Sequence, residues 1–314
     1  MSKKTKKKVL VTSAAGFIGS HIAHRCIKDG YDVYTIDNLL TGSESNIPKI
    51  AKFIKGDVGN RAVWGKLPKN FDACFHLAAQ SSGEISYERP GYDLKANTLG
   101  TLLALHWCKD NNVRKFIFSS SMSAYGDPPK SPVKETTPCN PLSFYGISKL
   151  SAEKYIEYFA NKGLNTTTFR LFSVYGPGQN LDNMKQGIVS IFLAMLLKNK
   201  EIHVKGSGKR FRDLTHVDDV VNVWMLANKK REATGEIFNV GTGKKTLIQD
   251  LVKAELLACG LDPKTYPVRY EGNTPDDTWG LYADISKLKR KLGYTPKVKL
   301  ADGLKQMVKW AKGK

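Results

Sequence analysis

The chain has 314 residues and a formal charge of +20, a length that suits one large α/β domain or a domain and a half. No apolar run approaches the ~20 residues of a membrane span. The five cysteines (Cys26, Cys74, Cys108, Cys139, Cys259) show neither a CxxC nor a Cys/His metal spacing. They read as reduced thiols in a cytoplasm. The lysines are spread along the chain without interleaved aromatics, which reads as a solvated basic surface rather than a nucleic-acid site.

The basic start, residues 3–8, resembles the head of a signal peptide, but the apolar run behind it breaks at Thr12. Val9-Leu10-Val11-Thr12 is therefore read as a first strand. Ser13-Ala14-Ala15-Gly16-Phe17-Ile18-Gly19 follows, then helical spacing from His21 to Asp29 closed by Gly30. Strand, small-residue turn and helix is the form of a dinucleotide site. There the backbone approaches a pyrophosphate closely and the helix N-terminus offers free N–H groups. A second strand, 31–36, ends in Asp37. A carboxylate there accepts both ribose hydroxyls of NAD and repels the extra phosphate of NADP.

Further strands are expected at Phe53-Ile54, leading to Gly56-Asp57-Val58, and at 71–77, entering the turn Ala78-Ala79-Gln80-Ser81-Ser82. A long apolar-periodic helix covers 91–111 and carries Asn97 and Gly100, and Phe116-Ile117-Phe118 runs into Ser119-Ser120-Ser121. Strands alternating with helices predict a Rossmann-type, doubly wound parallel sheet with ligands at the strands' carboxyl ends. A smaller mixed α/β domain follows it. The expected division is 1–172 for the dinucleotide domain, with return segments near 212–243, and 173–314 for an interleaved substrate domain.

Tyr145 begins the next helix, and Lys149 stands four residues on, so phenol and ammonium share one helix face. Free tyrosine ionises near ~10 and is a poor base at neutral pH. A fixed ammonium nearby is expected to move that value down. Ser121, at the end of an apolar strand, is placed to hold the oxygen whose proton Tyr145 takes.

Taken together the stretches resemble extended short-chain dehydrogenases/reductases, specifically the NAD-dependent nucleotide-sugar epimerase/dehydratase family and its UDP-glucose 4-epimerase-like members. The resemblance rests on Gly16-Phe17-Ile18-Gly19, Asp37-Asn38, His76-Leu77-Ala78-Ala79, Asn97 with Gly100-Thr101, and Ser119-Ser120-Ser121 before Tyr125-Gly126-Asp127. It continues through Tyr145 with Ser148-Lys149, Arg170-Leu171-Phe172, Tyr175-Gly176-Pro177-Gly178, Arg212-Asp213 and Phe238-Asn239-Val240-Gly241. It implies a Ser/Tyr/Lys set (Ser121, Tyr145, Lys149) acting at C4 of a sugar joined through diphosphate to a nucleoside, with UDP the expected nucleotide. NAD is implied at Ser13, Gly16, Phe17, Ile18, Gly19, Asp37, Asn38, Asp57, Val58, Leu77, Ala78, Ala79, Gln80, Asn97, Ser119, Tyr145, Lys149 and Phe172. The substrate is implied at Ser81, Glu84, Ser121, Ser123, Tyr145, Ser173, Arg212 and Asp277. A homodimer through the helices near 91–111 and 145–161 is also implied, with Leu102, Leu103, Leu105, Trp107, Ile156 and Phe159 at plausible spacing. No membrane partner is expected.

The chain departs from the family pattern at several positions. Ser13 replaces the first glycine of the cofactor turn, and Ser173 stands where many members carry Asn. Thr274-Pro275-Asp276-Asp277 stands in place of an Arg-Pro-Gly-Asp pattern. Met122-Ser123 replaces the Asp-Glu that dehydratases place after the catalytic hydroxyl, and Ser123 also argues against decarboxylation. Leu281 flanks the sugar pocket and is neither a bulky aromatic nor a small residue, which leaves hexoses and N-acetylhexosamines both open. A 4-keto-sugar reductase is the alternative, although such enzymes often prefer NADP. A non-catalytic RNA-binding or regulatory member is the third reading, and the intact Tyr145/Lys149 pair argues against it.

Overall fold

A strand buried on both faces reads as unbroken apolar sequence, and Val9-Leu10-Val11 does so because Val9 and Val11 enter one core while Leu10 enters another. The computed structural model describes residues 6–272 and 278–313. Its central sheet holds β1 (Lys8–Thr12), β2 (Asp32–Asp37), β3 (Lys52–Lys55), β4 (Ala73–His76), β5 (Phe116–Ser121), β6 (Thr166–Leu171) and Glu236–Val240. The spatial order is Glu236–Val240, β6, β5, β4, β1, β2, β3, and every pairing is parallel. The order reverses between β1 and β4, and a doubly wound sheet opens a crevice at such a point.

Helix α1 (Phe17–Lys28) and the helix Val217–Lys229 cover one face, where Val9, Ile22, Phe75, Ile117 and Trp224 pack. The helices Gly100–Asp110 and Phe144–Asn161 cover the other, over Leu10, Phe116 and Phe118. Three of the apolar residues expected at a dimer interface, Leu105, Ile156 and Phe159, are buried in this second core, and Leu102, Leu103 and Trp107 pack against it. The sheet beneath them accounts for their spacing.

The helix expected over 91–111 forms in three pieces, Pro90–Asp93, a π-helical stretch Leu94–Leu99, and Gly100–Asp110. Glu84 lies in a short helix, Gly83–Glu88. Ile188–Leu197, Ile248–Cys259 and Leu300–Lys312 build a third core with Tyr175, outside the large sheet. Between these pieces the chain returns through Val217–Lys229 and Glu236–Val240 to the sheet.

Candidate active site

A cleft of about 1250 Å³ lies at the carboxyl ends of the strands, between the sheet and the third core. Its floor begins with the turn after β1. Ser13 takes a left-handed φ of +63° and its N–H donates to the Ile36 carbonyl at 2.8 Å. Glycine adopts that conformation more readily, but serine is accommodated and the turn closes through Gly16 N–H to the Ser13 carbonyl. A Cβ on Gly19 would come within 2.0 Å of the Ser13 carbonyl oxygen, so only glycine lets α1 approach the turn this closely. Gly16 caps α1 without a side-chain bond, and no acid lies in the first turn. The uncapped amino end of α1 therefore faces the cleft floor as an anion site, which suits a pyrophosphate.

Asp37 ends β2 and is 8% exposed. Its carboxylate accepts from the Ala15 N–H at 3.0 Å and the Leu39 N–H at 2.8 Å. Burial pushes its pKa up and these backbone donors oppose the shift. Asn38 turns its amide oxygen to the Leu40 N–H. Asp57 accepts from Gly59 N–H at 2.7 Å and lies 3.8 Å from the Lys95 ammonium, while Val58 is buried under Trp64 and Gly100. Asp37, Asn38, Asp57, Val58, Ala78, Gln80 and Asn97 stand behind the cleft lining, whereas Leu77, Ala79, Ser119 and Phe172 are part of it.

The Thr12 hydroxyl, which the sequence reading missed, accepts from the Leu77 and Ala78 N–H groups at 3.0 and 2.9 Å and ties β1 to the turn after β4. Thr12 also bonds His76, which is sealed between aromatic rings and pulled by burial down to about 3, so this histidine stays neutral. A hydroxyl at the end of a strand gives no pattern in sequence that separates it from an ordinary core threonine.

Tyr145, Ser121 and Lys149 converge on one wall of the cleft. Ser143 caps their helix by accepting from Gly146 N–H at 3.1 Å, which sets Tyr145 in the first turn. The Ser121 hydroxyl lies beside the Tyr145 phenol and donates to the Ser123 hydroxyl at 3.1 Å. The Lys149 ammonium donates to the Ser119 carbonyl at 2.8 Å and lies 5.9 Å from the centre of the Tyr145 ring.

Electrostatics here differ from the expectation. Loss of solvation pushes the half-buried Tyr145 phenol up to about 12, against the pull of the neighbouring Ser121 hydroxyl, and the Asp93 carboxylate raises it further. The same loss pulls Lys149 down to about 8, while Asp93 and Glu153 act to hold its proton. Burial, and not the ammonium, sets the direction of the phenol's shift.

Ser173, Arg212 and Leu281 line the far wall. Arg212 is 6% exposed and its guanidinium donates to the Phe211 carbonyl at 2.8 Å and to the Thr278 carbonyl at 3.3 Å. Ser81 accepts from the Gln186 side chain at 2.5 Å. Glu84 lies 3.5 Å from both Lys185 and Lys205, so its charge is shared with cations across the cleft mouth. Residues 182–187, unread as a site in the sequence, also line this mouth. Asp277, with Thr274, lies outside the described residues.

A model of the NAD dependent epimerase/dehydratase family matches residues 9–241. The chain is similar to the UDP-glucose 4-epimerase of Thermotoga maritima, solved with UDP-glucose, with 38% identity and a TM-score of 0.93 over 98% of this chain and 99% of that one. It is also similar to the UDP-N-acetylglucosamine 4-epimerase of Methanobrevibacter ruminantium, solved with UDP-N-acetylmuramic acid, at 32% identity and a TM-score of 0.92 over the same shares of the two chains. The Thermus thermophilus UDP-glucose 4-epimerase, solved with NAD, matches at 30% identity and a TM-score of 0.89, again over 98% and 99%.

Proposed function

Because the chain belongs to the NAD-dependent epimerase/dehydratase family, we infer that it is an NAD-dependent nucleotide-sugar 4-epimerase working through a transient 4-keto sugar. The observation that supports this most is the convergence of Ser121 and Tyr145 beside the Lys149 ammonium on one wall of the cleft, with Met122 and Ser123 where an eliminating enzyme needs acids.

NAD fits the floor of the cleft. The uncapped amino end of α1 and the Gly19 approach would receive its pyrophosphate, and Asp37 its adenosine ribose, with Asp57 and Val58 at the adenine end. Bound there, NAD supplies the hydride acceptor and donor for C4. Tyr145 takes the proton of the C4 hydroxyl and returns it after the sugar turns over. Ser121 holds the same oxygen in reach of the phenol. Lys149, fixed by the Ser119 carbonyl, places a positive charge where phenolate develops. Arg212 suits the diphosphate, because a rigid guanidinium fork matches phosphate oxygens.

UDP is the proposed nucleotide, with a hexose or N-acetylhexosamine as the sugar. Residues 1–172 and the return near 212–243 would hold the cofactor, and the rest of 173–314 the substrate. A homodimer is proposed through Leu94, Leu99, Ile147, Tyr155 and Tyr158, apolar residues 39–59% exposed on the helices of one face. Among the described residues no helix is long and apolar enough to cross a membrane. Five free thiols support a cytoplasmic location.

The test is incubation of purified protein with UDP-glucose, UDP-galactose and their N-acetyl counterparts, with products resolved by anion exchange. Interconversion at C4 in both directions without net consumption of cofactor is expected. Net oxidation or reduction of the sugar would replace the epimerase by a reductase.

A further inference from the structure

Asp93 has no part in the proton transfer described above, yet its carboxyl is 1% exposed and lies just behind the catalytic wall. Its Oδ1 accepts from the side-chain amides of Gln80 at 2.8 Å and Asn97 at 3.0 Å, and the Ser148 hydroxyl, which donates to the Tyr145 carbonyl at 3.0 Å, lies beside the same carboxyl. Each of the three belongs to an element that meets the catalytic set. Gln80 stands in the turn after β4, Asn97 in the π-helical stretch, and Ser148 directly before Lys149. Asn97 closes the group by accepting from Gln80 N–H at 2.8 Å and donating to the Ser148 hydroxyl at 2.9 Å. A π-helical turn widens the helix and re-aims its side chains, and such turns recur at functional sites.

Charge distinguishes Asp93 from the other groups around Lys149. Those facing this ammonium are Tyr145 and Glu153 from its own helix, His76 from β4, and Asp93. His76 is neutral. Glu153 is gripped by the Arg170 guanidinium at 2.6 and 3.0 Å and by the Ser120 hydroxyl, so its charge is matched within its own pair. The hydrogen bonds described for Asp93 come from neutral donors. Burial pushes its carboxyl up, and the neighbouring Ser148 hydroxyl and Gln80 amide, with the charge of Lys149, act to keep it ionised.

We propose that Asp93 is a positioning residue for proton transfer: it fixes Gln80, Asn97 and Ser148 around the catalytic wall and supplies the buried negative charge that Lys149 and Tyr145 both face. The inference rests on the 4-epimerase reading. Its sign is definite. Removing the charge weakens the hold on the Lys149 proton and eases ionisation of Tyr145, so both groups titrate at lower pH.

Two readouts test it in Asp93→Asn. The first is the pH profile of kcat/KM on the nucleotide sugar that the wild type turns over. Its alkaline limb is expected to move down by at least about one pH unit, with kcat lowered about 10-fold or more above that limb, where the Lys149 ammonium is lost. The second uses the protein without sugar: phenolate absorbance is titrated with Tyr145→Phe as the blank, and Tyr145 is expected to ionise at lower pH than in wild type. Loss of rate with both titrations unmoved would reduce Asp93 to packing and overturn the proposal. If Asp93→Asn fails to fold, Asp93→Glu decides, since it keeps the charge and disturbs the bonds. An unmoved limb with lowered kcat supports the proposal, and a limb shifted down as far as expected for Asn overturns it. Failure of the epimerase reading is separate: the wild type would then turn over no nucleotide sugar, while the phenolate titration would still report on Asp93.

Discussion

At the residue scale, Tyr145→Phe removes one hydroxyl while leaving the ring in place, so fold and cofactor binding should survive. General-base contributions run to about 10²–10⁴-fold, and kcat should fall by at least that with little change in KM. Ser121→Ala should cost less, because the base remains; steady-state kinetics on the native nucleotide sugar checks both. Lys149 makes the pH dependence specific. Its ammonium is lost as pH rises through about 8, so kcat/KM should decline above that value, and Lys149→Arg, which stays charged, should remove the decline. The same shift acts on stability. The folded value lies below the ordinary 10.5, so the contribution is present above that value and lost as pH falls through the folded one. The stability of the wild type should therefore fall as pH is lowered from about 10.5 through about 8, and calorimetry showing no such fall would refute the shift. Asp37→Ala should weaken NAD binding by roughly 1.5–3 kcal/mol, the range for hydrogen bonds to charged groups. Equal affinity by titration calorimetry would remove its assignment to the ribose.

At the element scale, the turn between β1 and α1 is the tightest constraint on the proposed cofactor floor. Gly19→Ala places a carbon against the Ser13 carbonyl at 2.0 Å, backbone that cannot rotate away, so α1 must shift. Loss of NAD retention on purification is the expected result, with the far-UV spectrum unchanged; retention at the wild-type level would show the turn to be more compliant than its packing implies. The opposite substitution, Ser13→Gly, relieves a left-handed residue and should be neutral to mildly stabilising.

At the scale of the whole molecule, two surfaces invite measurement. Light scattering at micromolar concentration should report a dimer, and replacing Leu99 and Tyr158 by charged residues should yield monomers with the fold intact. A wild-type monomer would set that interface aside. The +20 charge is the other matter. Removing residues 1–7 should leave sugar turnover unchanged, and any nucleic-acid binding should fade steeply as salt is raised.

The sequence by itself determined the sheet, the cofactor turn and the Tyr/Lys pair, because these follow from local rules. Apolar runs buried on both faces, a glycine where a helix meets a turn, and a four-residue spacing on one helix face all lie within short windows of chain. What only the tertiary structure decided are relations between distant windows. Thr12 serves the turn after β4 from 65 residues away, Glu153 is matched by Arg170, and Asp93 gathers Gln80, Asn97 and Ser148. In the sequence Leu105, Ile156 and Phe159 suit a partner surface or a core alike, since helical spacing marks an apolar stripe without saying what covers it, and the fold buries them in the core. Proximity of Lys149 to Tyr145 along a helix is visible in sequence. Desolvation is not, because it depends on everything packed around the pair, and here it is the larger effect.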